Sequence, residues 1–393
     1  MKFMKKVFAV SVLSVFLFGV SVFAADKGNF STAPKTNEGK KWWIGYYQGG
    51  DYIDYQTNIL AIVDALTDLK WIQKTAIPKQ EGIQTKDLWN WLAANVKSDY
   101  IEFAADAHYS ANWDKDLRPK MSEEVIVRLG TKKDIDLIIA AGTWAGQDLS
   151  QALAAGKYKT PTMVVSTSDP IGAKIIKSAG DSGNEWLHAR VAPLRYARQI
   201  QLFHEIAKFK TLGVAYENSE AGRSYAAMDT VEKAAKEHGF QIVSCYTQSD
   251  VPDETVAIES VKQCFEELAK KKVDAIYVSA QRGVSQKSIQ ELVRIANSYK
   301  IPTFSQAGSD LVKYGFLLSL AQAAGFKAAG DFYAETMSKI CNGAKPGQLD
   351  QVFESPQKIA INEKTAELIQ FHMPMEFIEV VDEVYREISV PEN

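Results

Sequence analysis

IDLIIAAGTWAGQDLSQALAAGKYKTPTMVVSTS, residues 135–168, decides the fold class. IDLIIAAGT is a continuous apolar run closing on Gly142 and Thr143, the pattern of a strand buried on both faces. GQDLSQALAAG has helical character and reaches Gly156. TPTMVVSTS is a second buried run. Buried strands alternating with helices predict a parallel sheet covered on both sides.

The alternation extends in both directions. Upstream, WWIGYYQ (42–48) reads as a strand, and Tyr55, Ile59, Ile62, Leu66 and Leu69 recur at helical spacing. A short helix around KDLWNWLAANV, a strand at DYIEFAADA and a helix at SEEVIVRLGTKK follow. HARVAPLR, with Pro193, marks a crossing, after which the pattern restarts. Helices are expected at 195–209, 220–238, 255–271, 285–299 and 325–342, the last stopping at Asn342 or Gly343. Between them lie strands at TLGVAYE, FQIVSCY, VDAIYVSA, IPTFSQ and GFLLSL. The fold class expected is α/β, with two consecutive doubly wound parallel sheets.

With 46% hydrophobic and 24% charged residues, the chain has ample core material. Its net charge of −3 and lack of a basic stripe argue against a nucleic-acid partner. Residues 1–24 have the form of a secretory signal. Lys2, Lys5 and Lys6 precede an apolar stretch, and Val22 and Ala24 occupy the −3 and −1 places of a cleavage site. No later stretch approaches the roughly 18 apolar residues of a membrane span, so export to a periplasm is expected. Residues 25–37 read as a flexible lead-in, and the acidic C-terminal MEFIEVVDEVYREISVPEN as a solvated helix face and tail. The exported compartment permits disulfides. Cys245 and Cys264 are candidates for a pair, but buried free thiols are the preferred reading.

In open α/β sheets, ligands bind beyond the carboxyl ends of the strands. The candidate loops are therefore YQGGDY, AGTWAGQ, STSDPIGA, YENSEAGRS, SAQRGVS and SQAGSD. Gly49 and Gly50 follow a strand, yet the third glycine of a dinucleotide loop is missing and Asp51 and Asp54 follow at once. A turn at a cleft rim is expected, with no cofactor. Thr143 is a candidate N-cap, as is Asn218 or Ser219, each at a helix start where a carboxylate is favoured. Asp169, before Pro170, suits either an N-cap or an ammonium partner. No nucleophile motif or Cys/His cluster occurs. Asp106 and His108 share one face of a strand end, a weak metal signal.

GSDLVKYGFLLSL, the stretch from AAGFKAAGDFYAETMSKICNG through AELIQF, and PMEFIEVVDEV resemble the closing region of bacterial solute-binding proteins that serve ABC importers. The branch is the one associated with tryptophan and tyrosine. STSDPIGAKIIKS and AYENSEAG resemble its inner loops, and the similarity spans roughly residues 43–388. The resemblance implies a monomeric, two-lobed binder that closes on a small molecule and docks on permease subunits. It implies lobe 1 at 38–191 with 323–346, and lobe 2 at 192–322 with 347–393. It also implies ligand contact by Tyr47, Gln48, Asp51, Thr143, Trp144, Gln147, Ser168, Asp169, Asn218, Ser219, Glu220, Gln281, Arg282, Gln306 and Asp310. A carboxylate is expected near Ser219 or Thr143, and an ammonium near Asp169 or Asp310. The segment WIQKTAIPKQEGIQTKDLWNWLAANVKSDY and the loop DAHYSANWDKDLRP depart from the family pattern. A sugar or nucleoside ligand, a sensory module and an exported enzyme are the rival readings.

Overall fold

A computed structural model describes residues 28–322, 325–354 and 357–391. The expected signal at 1–24 lies outside the described residues. The first half builds β1 (Trp42–Gln48), α1 (Ile53–Asp68), α2 (Thr85–Asn95), β2 (Ile101–Ser110), α3 (Arg118–Thr131), β3 (Leu137–Ala141), α4 (Gly142–Ala154), β4 (Thr162–Val165) and β5 (Leu187–Ala189). Its five strands are parallel and ordered β2-β1-β3-β4-β5. Alternation along β1 sends Ile44 and Tyr46 into a core shared with α1 and α2, while Tyr47 enters a second core under α3 and α4. Both faces of the sheet are thus covered, as its continuous apolar strands require.

The second half continues with α5 (Arg195–Ala207), β6 (Thr211–Tyr216), α6 (Glu220–Tyr225), α7 (Met228–His238), β7 (Gln241–Tyr246), α8 (Glu254–Lys270), β8 (Ala275–Val278), α9 (Ile289–Ser298), β9 (Thr303–Ser305), α10 (Asp310–Lys313) and β10 (Leu318–Gln322). Then come α11 (Gly325–Cys341), β11 (Gln357–Asn362), α12 (Glu363–Ile369), α13 (Met375–Ile378) and β12 (Glu383–Tyr385). The second sheet is ordered β12-β11-β10-β9-β8-β6-β7, with β11 antiparallel to β10.

The α11 helix leaves the second sheet and packs against α1 of the first. Gly330 sits so close to Ala61 that a Cβ there would meet the α1 backbone at 2.6 Å. The chain remains with the first sheet at Gly347, whose N–H donates to Glu185 O. Segments around Val191 and Val352 then run side by side, with Val191 N–H donating to Gln351 O and Phe353 N–H to Val191 O. The chain rejoins the second sheet at β11.

Several expectations need correction. The lead-in is tied down where described: the indole N–H groups of Trp71 and Trp42 donate to Thr32 O and Lys35 O, each at 2.8 Å. The expected helix 220–238 breaks into α6 and α7 at Ala227, which is left-handed at φ +52°. The acidic C-terminal stretch supplies an edge strand, β12, as well as the short α13. Cys245 and Cys264 form a disulfide that joins edge strand β7 to α8, so the preference for free thiols there fails. Alternation along a strand does not predict bonding between a strand and a helix. Cys341 is the free, buried thiol.

Candidate functional site

The loops after β1, β2, β3, β4, β6, β7 and β8 meet where the two sheets face each other. Residues of both halves enclose a cavity of about 70 Å³. Tyr52, Asp54, Tyr55, Trp113, Thr143, Trp144, Ser166 and Ser168 line it from the first half, and Tyr225, Ser249, Asp250, Ala280, Gln281 and Arg282 from the second. A more open chamber of about 340 Å³ adjoins it, lined by Lys115, Arg118, Gln147, Glu217, Ser219 and Glu220 among others. Trp144 and Asp250 line both, and the Trp144 indole N–H donates to Asp250 Oδ2 at 3.0 Å across the two halves.

Glycines place the aromatic wall. A Cβ on Gly50 would collide with the Trp113 indole, and one on Gly49 would lie 3.0 Å from Trp144 Cβ. The Trp113 indole N–H donates to Asp51 O at 2.9 Å. The glycine pair is therefore a floor for Trp113. Gly142, at φ +81°, leaves no Cβ where the Tyr55 hydroxyl lies. Trp144 is held from behind, with the Arg118 guanidinium 4.7 Å from its ring centroid. Arg118 pairs with Asp148 at 2.8 Å, and Asp148 accepts from the Tyr47 hydroxyl at 2.6 Å.

The acids have distinct surroundings. Glu217 is buried and accepts from the N–H groups of Ser249 and Asp250 at 2.8 and 2.7 Å, and from Lys115 at 2.9 Å. Burial, with Glu217 nearby, pushes the Asp250 carboxyl up to about 7. Burial pushes Asp54 up to about 6, opposed by the charge of Arg195. Arg282 donates to Val251 O and Pro252 O. Its Nε, like the hydroxyl of Ser166, is buried without a hydrogen-bond partner among the described residues. Such atoms are costly unless something satisfies them.

A family profile described as ABC transporter substrate binding protein matches residues 119–384, more than half of the chain. The chain belongs to this family. A search of curated proteins finds no match. Among solved structures, an ABC domain in complex with L-Trp from Streptococcus pneumonia is similar at a TM-score of 0.62 and 19% identity, covering 87% of this chain and 99% of that one. A ligand-free, open substrate-binding protein with adhesive properties from Clostridium difficile matches at 0.54 and 22%, covering 88% and 100%. A solute-binding protein from R. palustris in complex with benzoate matches at 0.51 and 14%, covering 84% and 85%. These likenesses establish the fold, that of type I periplasmic binding proteins.

In this substrate-binding protein, Thr143, Trp144, Ser168, Gln281 and Arg282 line the inner cavity, and Gln147, Ser219 and Glu220 the outer chamber. The others lie elsewhere. Tyr47 is in the core behind α4. Gln48 is buried, donating to Asp51 at 2.8 Å and accepting from Thr85 at 2.7 Å, so Gln48 and Asp51 tie the first loop to α2. Gln306 accepts from Ala280 N–H and donates to Tyr225 O, bracing two rim loops. Asn218 and Asp310 are exposed and line neither space.

Local geometry also revises the expected caps. Asp169 Oδ1 accepts from the N–H groups of Ile171 and Gly172, closing a turn at Pro170 in place of the expected helix start. The α4 helix begins at Gly142, which puts Thr143 inside its first turn and not at the N-cap. Ser219 does cap α6, accepting from Gly222 N–H at 3.0 Å. Asp106 pairs with Arg128, while His108 meets Thr85 and stacks on Tyr46. A register irregularity in β2 separates their surroundings.

Sequence reasoning passed over Tyr55, Trp113, Ser249 and Asp250, and did not single out Ser166 or Asp54 for ligand contact. Trp113 had a signal, since its loop is unusually aromatic. Asp250 had none. It follows β7, and its burial against Trp144 is a product of how the two sheets meet.

Proposed function

We propose that this protein captures a small amino-acid-type zwitterion between its two lobes and delivers it to an ABC importer from the periplasm. The observation that carries this reading is the position of the unsatisfied polar atoms of cavity-lining residues: Ser166 Oγ, Arg282 Nε and the Tyr225 hydroxyl. Ser166 Oγ follows β4 of the first sheet, and Arg282 Nε follows β8 of the second. A ligand carboxylate accepting from both would join the lobes, and the population would shift toward the closed form. The acids Asp54 and Asp250 on the same cavity suit an ammonium group.

The lobes are taken as 38–191 with 323–349, and 192–322 with β11 and the chain after it. Hinge crossings would lie near 192, near 322, and between Leu349 and β11, where the chain rejoins the second sheet. The L-Trp and benzoate complexes of similar proteins support a carboxylate ligand. The protein acts here as a monomeric binder and not as a catalyst. The test is a thermal-shift screen with amino acids, sugars and nucleosides after partial unfolding has stripped co-purified ligand. A ligand at 100 times its dissociation constant adds about 2.7 kcal/mol of stability. An amino acid is expected to raise the melting temperature; a shift with a sugar or nucleoside and with no amino acid rejects the ligand class.

A further inference from the structure

Building on the zwitterion reading, we propose that the inner cavity is a box for an N-methylated ammonium. Its ligand would be a compact betaine-type zwitterion, the cationic head against Asp54 and the aromatic wall, the carboxylate against Ser166 and Arg282.

Five of the fourteen lining residues are aromatic: Tyr52, Tyr55, Trp113, Trp144 and Tyr225. Neighbouring rings meet as walls meet at a corner. Tyr52 and Tyr55 are 5.6 Å apart at 71°, and Trp113 and Trp144 are 5.5 Å apart at 69°. Both indole N–H groups are already spent, on Asp51 O and Asp250 Oδ2. The indole faces therefore offer π surface, which suits a desolvated cation, while the Tyr225 hydroxyl on the same wall is buried without a hydrogen-bond partner among the described residues. Asp54 lines the same cavity, and no hydrogen bond to its carboxylate occurs among the described residues.

A primary ammonium has three N–H groups, each of which needs an acceptor when buried. An N-trimethyl head needs none. It gains from ring surface and from a carboxylate close by, which is what this end of the cavity supplies. The enclosed space, about 70 Å³, suits a compact ligand whose aromatic contacts come from the protein.

The experiment is isothermal titration of the full mature protein with glycine, N-methylglycine, N,N-dimethylglycine, N,N,N-trimethylglycine and 3,3-dimethylbutanoate. The last has the shape of trimethylglycine with carbon in place of nitrogen. Affinity is expected to rise through the methyl series, by about tenfold or more overall, and to fall by about tenfold or more for the isostere, whose head carries no charge. Asp54→Asn is expected to weaken trimethylglycine by about tenfold, without lowering the melting temperature of the protein measured in the absence of ligand. The inference is overturned if glycine binds as tightly as trimethylglycine, if the isostere equals it, or if Asp54→Asn leaves its affinity unchanged. Binding of tryptophan or another primary amino acid without trimethylglycine rejects the methylated head and leaves the amino-acid reading standing. Binding of a sugar with no zwitterion rejects both.

Discussion

Trp113 shows how much one side chain depends on the residues beneath it. Its indole rests on Gly50, donates to Asp51 O and meets Trp144 edge to face. Gly50→Ala should push the indole off its floor. The expected cost is about 1–3 kcal/mol in urea denaturation, with a change in tryptophan emission, and an unchanged unfolding midpoint would contradict it. Asp250 makes a second prediction. Its carboxyl is raised from 3.8 to about 7, so between these values the folded protein holds a proton that the unfolded chain has released. Stability contributed by this group therefore falls as pH rises through that window, by up to about 1.4 kcal/mol per pH unit. Asp250→Asn should remove that part of the slope when midpoints are compared from pH 4.5 to 7.5; parallel profiles would show that the group does not titrate there.

At the scale of elements, the disulfide between β7 and α8 anchors an edge strand. The bond closes a loop with a sequence separation of 19. Reduction should destabilise the protein by about 3 kcal/mol through the freedom returned to the unfolded chain. Melting with and without a reductant measures it, and Cys245→Ser with Cys264→Ser should reproduce the reduced value. Strand and helix patterns were legible because apolar runs and 3.6-residue spacing are local properties. The starts of helices were less so. The α4 helix begins at Gly142, a residue whose sequence signal is that of a loop, because a positive φ and the Tyr55 hydroxyl together demand glycine there. The break at Ala227 and the strand β12 likewise carry no local signal. Backbone hydrogen bonds to β11 recruit Glu383–Tyr385 into the sheet despite its acidic surroundings.

Across the whole molecule, several polar contacts join the two halves at the site. Trp144 donates to Asp250, Lys115 pairs with Glu217, Lys174 pairs with Glu220, and the Ser224 hydroxyl donates to Asp169 O. Lys174 and Glu220 are both exposed, so that ion pair contributes little by itself, whereas Lys115 reaches from the surface to the buried Glu217. The buried Trp144–Asp250 bond is the stronger tie. Trp144→Phe keeps a ring but removes the donor to a carboxyl that is only partly ionised near neutral pH, a bond worth about 1 kcal/mol. Ligand affinity should fall roughly fivefold, while unfolding of the separate sheets changes little. Equal affinity in titration calorimetry would show that the bond does not help hold the closed form.

The two α/β sheets and the loops at their strand ends were written in the order of residues, since burial on both faces imposes continuous apolar strands wherever they occur. The family was legible for the same reason, through the order and spacing of its segments. Which side chains of those loops reach the cavity was decided only by tertiary structure. Tyr47 and Gln48 stand beside the glycine pair in sequence, yet alternation along β1 and the packing of α2 and α4 turn both into supports. Trp113, Asp54 and Asp250 come from places that sequence spacing does not connect. They become neighbours because two sheets, each folded around its own core, are brought face to face by a chain that passes between them more than once.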